Sequence, residues 1–159
     1  MKKLILISTL CTMFLLVAIT TAFGQDKAGF VRVFEEYAQR DNTISFTFSK
    51  EMLDAVDIDL EWEEKIQNIS GDIYQVKFIA FDRLDENDKI ISRLDGEIRK
   101  LGYPVIPYKP DHTDDIREFR LYGKKDNDHY RQVHLLVKDG DGRAYLISVD
   151  GKLKVIREA

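Results

Sequence analysis

The chain has 159 residues, of which 24 are basic and 28 acidic, and its formal net charge at pH 7 is −4. The acidic balance argues against nucleic acid as a partner, because the phosphate backbone attracts proteins that present a basic face. The single cysteine, Cys11, lies in the N-terminal apolar segment, so we expect no disulfide, cysteine nucleophile or cysteine metal site in the remainder.

The N-terminal residues have the order of a secretory signal. Lys2 and Lys3 precede an uncharged apolar run, and the small residues Ala22 and Gly24 stand where a signal peptidase cuts. We therefore expect a signal peptide over residues 1–24.

Cleavage between Gly24 and Gln25 would leave one domain, residues 25–159, in the periplasm or otherwise exported. An uncleaved anchor is the alternative, because the uncharged stretch 4–25 is long enough to span a bilayer. The domain lies outside the cytoplasm in both cases, and it meets the membrane only through this segment.

A helix and a strand are predicted next. Apolar residues recur at helical spacing within residues 28–40, at Phe30, Val33, Phe34 and Tyr37. Ile44, Phe46 and Phe48 then alternate with hydroxyl side chains, which predicts a strand with one buried face.

The middle of the chain contains an acidic stretch, a strand and a second helix. Residues 54–64 hold six acidic side chains and no basic one, which suits a solvated loop or helix start and leaves cation binding open. Residues 73–81 are apolar and β-branched, which predicts a central strand covered on both faces. Helical spacing of apolar residues follows over residues 90–101, and Gly102 stands at the position of a helix-ending glycine.

Three alternating segments in the last third predict an antiparallel meander, with turns at residues 123–129, 139–142 and 150–151. Residues 152–157 suit either a strand or a helical turn. The fold class that follows is α+β: a mostly antiparallel sheet, two or three helices packed on one face, and a C-terminal β-meander.

These elements resemble, in order, an exported family of Bacteroidetes known as domain of unknown function 4252. The resemblance is carried by Phe34 and Tyr37 of the first helix and by the stretches 44–53, 69–73, 101–103 and 147–153. It covers essentially all of the chain after the signal segment. It implies an envelope protein without an assigned activity, and it supplies no catalytic residues.

No motif predicts a catalytic residue, a metal or a cofactor. Residues 139–142 (Asp-Gly-Asp-Gly) lack the later ligands of a calcium loop and suit a hairpin turn. His112, His129 and His134 form no metal-binding motif, and no serine lies in a nucleophile elbow.

The meander supplies a candidate binding face. Val133, Leu135 and Val137 of its middle strand alternate with a more polar set, and successive side chains of a strand point to opposite faces. We expect the apolar set in the core and the polar set on a half-solvated surface that is bare, covered by a helix or used to bind a partner. The candidate binding residues are Tyr122, Tyr130, Gln132, His134 and Leu136.

The function these features favour is a non-enzymatic binding or interaction module of the cell envelope. Its partner would be an envelope protein or a small ligand. The alternatives are a hydrolase that uses Asp, Glu and His without a recognisable motif, and a structural subunit that lends a sheet edge to a partner.

Overall fold

Three helices and six strands make up the described parts of the chain, which are residues 28–55, 69–82, 86–108 and 116–155 of a computed structural model. The helices are α1 (residues 28–38), α2 (Lys50–Ala55) and α3 (Asn87–Lys100). The strands are β1 (Thr43–Ser49), β2 (Ile69–Phe81), β3 (Val105–Ile106), β4 (Ile116–Asp126), β5 (His129–Asp139) and β6 (Ala144–Val155).

The strands form one antiparallel sheet in the order β1-β2-β6-β5-β4-β3. Strands β4, β5 and β6 are consecutive neighbours, so the predicted C-terminal meander is confirmed. The predicted α+β class is confirmed with it.

Helices α1 and α3 cover one face of the sheet. Their buried residues share a core with the sheet, and the members from α1, α3, β5 and β6 include Phe30, Tyr37, Ile91, Leu94, Ile98, Leu136 and Leu146. Burying each such side chain contributes about 1.5–3 kcal/mol. Helix α3 gives way to Gly102 with φ 84°, as the sequence predicts.

The opposite face of the sheet carries a second apolar core. Leu121, Val133, Leu135, Ile147 and Val149 are buried there, and the predicted core role of Val133 and Leu135 is confirmed.

Toward β1 this apolar face becomes exposed. Ile44 is 60% exposed and Phe46 51%, so the prediction that this strand has a buried face is wrong. The reason is position, because among the described strands β1 has a neighbour on one side only.

Several predicted boundaries shift in the structure. Helix α1 ends two residues earlier than the predicted 28–40. Strand β2 is an interior strand, but it is not covered on both faces throughout, since Tyr74 is exposed. The predicted turn at residues 150–151 is wrong, because β6 continues through them to Val155. Residues 152–157 suited either a strand or a helical turn, and their described part is strand.

Gly151 shows why a turn signal appears within a strand. A Cβ at this position would overlap the carbonyl oxygen of Asp72 on β2, so the two backbones need glycine for their close approach. The acidic stretch 54–64 falls almost wholly outside the described residues.

Candidate functional site

At one end of the sheet, three adjacent strand pairs have register shifts. Tyr74 is an extra residue of β2 between the pairs Ile73–Gly151 and Gln75–Asp150. The β6–β5 pairing shifts between Tyr130 and Gln132, and the β5–β4 pairing shifts between Gly123 and Lys125. Bulges bend a sheet and re-aim side chains, and they are common beside binding sites.

A cavity of about 400 Å³ lies at this end of the sheet. Its lining comes from β2, β4, β5 and β6 and from Tyr103, three residues after the end of α3. The lining residues are Tyr74, Tyr103, Lys124, Lys125, Asp126, His129, Arg131, Gln132, Asp150, Gly151 and Lys152.

The rim of this cavity is cationic although the chain as a whole is acidic. Lys124, Lys125, Arg131 and Lys152 line it together with two carboxylates. Arg131 Nε donates to Asp126 Oδ2 at 2.5 Å, which neutralises one cation and orients its guanidinium. The remaining excess of lysine charge makes the concave surface attractive to an anion.

The cavity has a polar floor of three buried side chains. The Tyr103 hydroxyl donates to Gln132 Oε1, and Gln132 Nε2 donates to Asp150 Oδ1 at 2.5 Å. Because each group is buried and hydrogen-bonded, the chain holds the floor in one geometry. A ligand here would meet the buried Asp150 carboxylate below and the exposed lysine side chains at the rim.

The structure places the five candidate binding residues in buried positions, at most 6% exposed. The prediction that these side chains form a half-solvated surface is therefore wrong, and the alternative in which they are covered is the one observed. Only Gln132 of the five lines the cavity, so a binding role for the set stays a prediction.

The five residues also do not share one face. Tyr122 and Leu136 belong to the core beneath the helices, whereas Tyr130 packs in the core of the opposite face. The register shift between Tyr130 and Gln132 is the reason, because an irregularity there breaks the simple alternation.

His134 is fully buried beneath α1. Its ring stacks on Phe30 with centroids 3.7 Å apart, and Tyr103 meets it edge-on at 4.4 Å. Its Nδ1 lies 3.0 Å from the Ser148 hydroxyl, and Nε2 has no hydrogen-bond partner in the part of the chain that the structure describes. Burial, with the nearby charge of Lys77, lowers the pKa of His134 to about 3, so the ring is neutral at pH 7.

A polar cluster ties α3 to β4 away from the cavity. Asp95 accepts hydrogen bonds from Tyr122 at 2.7 Å and from Arg99 at 2.6 Å, and it pairs with Arg120 at 2.8 Å. Burial alone would raise the pKa of Asp95, but these donors and the Arg120 charge hold it below its usual value. The cluster joins two elements, which gives these charged groups a structural role.

No group of three or more His, Cys, Asp or Glu side chains within the described ranges is arranged to hold a metal ion. The predicted hairpin at residues 139–142 is present, and the first of its two carboxylates, that of Asp139, accepts hydrogen bonds from Arg143 N at 2.8 Å and from the Tyr145 hydroxyl at 2.9 Å. His112 lies outside the described residues.

The cations of the cavity were not predicted from the sequence. Lys124 and Lys125 fall in the segment predicted to be a loop, and Arg131 and Lys152 are separated from them and from each other in the chain. The adjacent lysines of that segment were the one local signal that could have indicated the site.

The family profile described as a domain of unknown function, DUF4252, matches residues 37–156, about three quarters of the chain. No curated protein and no solved structure matches. Among the helices that the structure describes, none has the length and apolarity to cross a membrane.

Proposed function

The chain belongs to the DUF4252 family of domains of unknown function, which carries no assigned activity, and we propose from the geometry that it is a non-enzymatic module that binds a small anionic ligand. The observation that carries the proposal is the lysine-rich cavity in an otherwise acidic protein. Concave sites that focus one sign of charge raise the local concentration of ligands of the opposite sign.

Substitution of Lys152 by alanine is expected to weaken anion binding about tenfold, because a hydrogen bond to a charged group is worth roughly 1.5–3 kcal/mol. Lys154→Ala is the matched control, since Lys154 is also an exposed residue of β6 but does not line the cavity. Isothermal titration calorimetry with inorganic phosphate, citrate and glucuronate measures both variants. Absence of binding by the unsubstituted protein, or equal losses in the two variants, would contradict the proposal.

The proposal includes export to the cell envelope, supported by the signal pattern of residues 1–24. We expect the main species recovered from the periplasmic or envelope fraction to begin at Gln25, as measured by intact mass spectrometry. A full-length main product would instead favour the uncleaved anchor.

A hydrolase is the second candidate, favoured by His129 at the cavity. His129 Nδ1 lies 3.2 Å from Asp128 Oδ1, and Asp126 and Asp150 also line the cavity. A His–carboxylate contact of this kind can orient an imidazole as a general base. Turnover of chromogenic esters that is lost in His129→Gln would favour this candidate over a binding module.

A further inference from the structure

In the part of the chain that the structure describes, strand β1 (Thr43–Ser49) is an unprotected edge. Among the described strands it pairs only with β2, in an unbroken register, and its seven residues include no charge and no proline. Proteins usually protect an edge with charges, prolines or bulges, because free backbone groups pair with other chains. The strand at the opposite edge, β3, has two residues, so it offers little free backbone for pairing.

The exposed side chains of β1 continue an apolar row of the sheet. Phe46 pairs with Phe78, which in turn pairs with the buried Ile147. The Phe46 ring lies 6.4 Å from that of Phe78 and 6.2 Å from that of Phe48. The row therefore runs from the core out to an aromatic side chain half exposed at the edge.

We propose that β1 pairs antiparallel with β1 of a second copy of this chain, about a two-fold axis at Phe46. The two six-stranded sheets would join into one continuous sheet. Phe46 would lie opposite Phe46 of the partner subunit, and Ile44 opposite Phe48 of the partner subunit. A two-fold contact of this kind uses the same patch on both copies, as in most protein dimers.

The sequence of β1 supports a second copy as the occupant. Polar and apolar residues alternate symmetrically about Phe46, so the axis brings apolar side chains opposite apolar ones and hydroxyls opposite hydroxyls. A strand with a net charge would repel its own copy across the axis, but β1 carries none. Because β1 has no charged residue, it has no group that would attract a charged strand of a different protein.

Phe46→Lys is expected to weaken the dimer at least tenfold, because like charges directly opposite each other across strands are destabilising. The full chain is expressed for export, purified and measured by sedimentation equilibrium over a range of concentrations. Val105→Lys, an exposed apolar position on the opposite edge strand, is the control and is expected to leave the dimer intact. Thermal unfolding of each variant confirms that it is folded.

A second measurement locates the contact. Phe46→Cys is expected to cross-link to its own copy with a short bis-maleimide, whereas Val105→Cys and the unsubstituted chain are not. A protein that is monomeric at all concentrations, or a dimer unaffected by Phe46→Lys and not cross-linked through residue 46, would overturn the proposal. The monomeric result would leave this edge to a strand of a different protein.

Discussion

Replacing His134 with aspartate is expected to unfold the domain. His134 is completely buried between the sheet and α1, and its ring stacks on Phe30. A carboxylate there would lose its hydration, and the attraction of the nearby Lys77 charge would offset only part of a cost of several kcal/mol. That is a large part of the 5–15 kcal/mol of a typical domain, so loss of the native circular dichroism spectrum at 25 °C is expected.

Leu135→Asp is expected to unfold the domain as well, because Leu135 is buried in the core on the opposite face of β5. Arg131→Asp on the same strand is the control: its side chain is largely exposed, so a loss of about 1 kcal/mol or less is expected from the broken contact with Asp126. If the His134 variant kept the stability of the unsubstituted protein, α1 could not lie over this face as described.

Strand β5 is buried on both faces, and the sequence could predict the burial of only one of them. Alternation along the strand identifies Val133 and Leu135 as core, because an interior strand buries its apolar row, whereas the same alternation on the edge strand β1 stays exposed. The other row, with Gln132 and His134, appears half-solvated by composition. The burial of His134 depends on Phe30 of α1, which stacks on its ring from about one hundred residues away in the chain, and Gln132 is hydrogen-bonded to the buried Tyr103.

Local sequence patterns could not predict the candidate site, for a related reason. Lys124, Arg131 and Lys152 meet because the pairings of neighbouring strands shift at the same level of the sheet. Such shifts leave little local signal, and the two glycines beside them, Gly123 and Gly151, lie in segments that composition predicts to be turns. The hairpin at residues 139–142 was predictable because turn residues there act locally.

Lowering the pH from 7 to 5 is expected to destabilise the domain by about 2 kcal/mol through His134 alone. In the folded chain burial, with the charge of Lys77, lowers the pKa of His134 to about 3, whereas an unfolded histidine titrates near 6.5. Between these values the unfolded chain binds a proton that the folded chain does not. The free energy of unfolding therefore falls as the pH falls, by up to about 1.4 kcal/mol per pH unit.

Urea unfolding of the unsubstituted protein and of His134→Gln at pH 7, 6 and 5 separates this contribution from others. The glutamine variant is expected to be less stable at pH 7, because it loses the stack on Phe30, but its stability should change less with pH. Protonation of Asp95 does not affect this comparison. Because the pKa of Asp95 is lowered in the folded chain, its contribution to the free energy of unfolding is lost only as the pH falls below the usual value of 3.8, outside the range measured. A pH dependence equal in the unsubstituted and His134→Gln proteins would show that the ring is already protonated or exposed in the folded state, contrary to its position against Phe30, Tyr103 and Ser148.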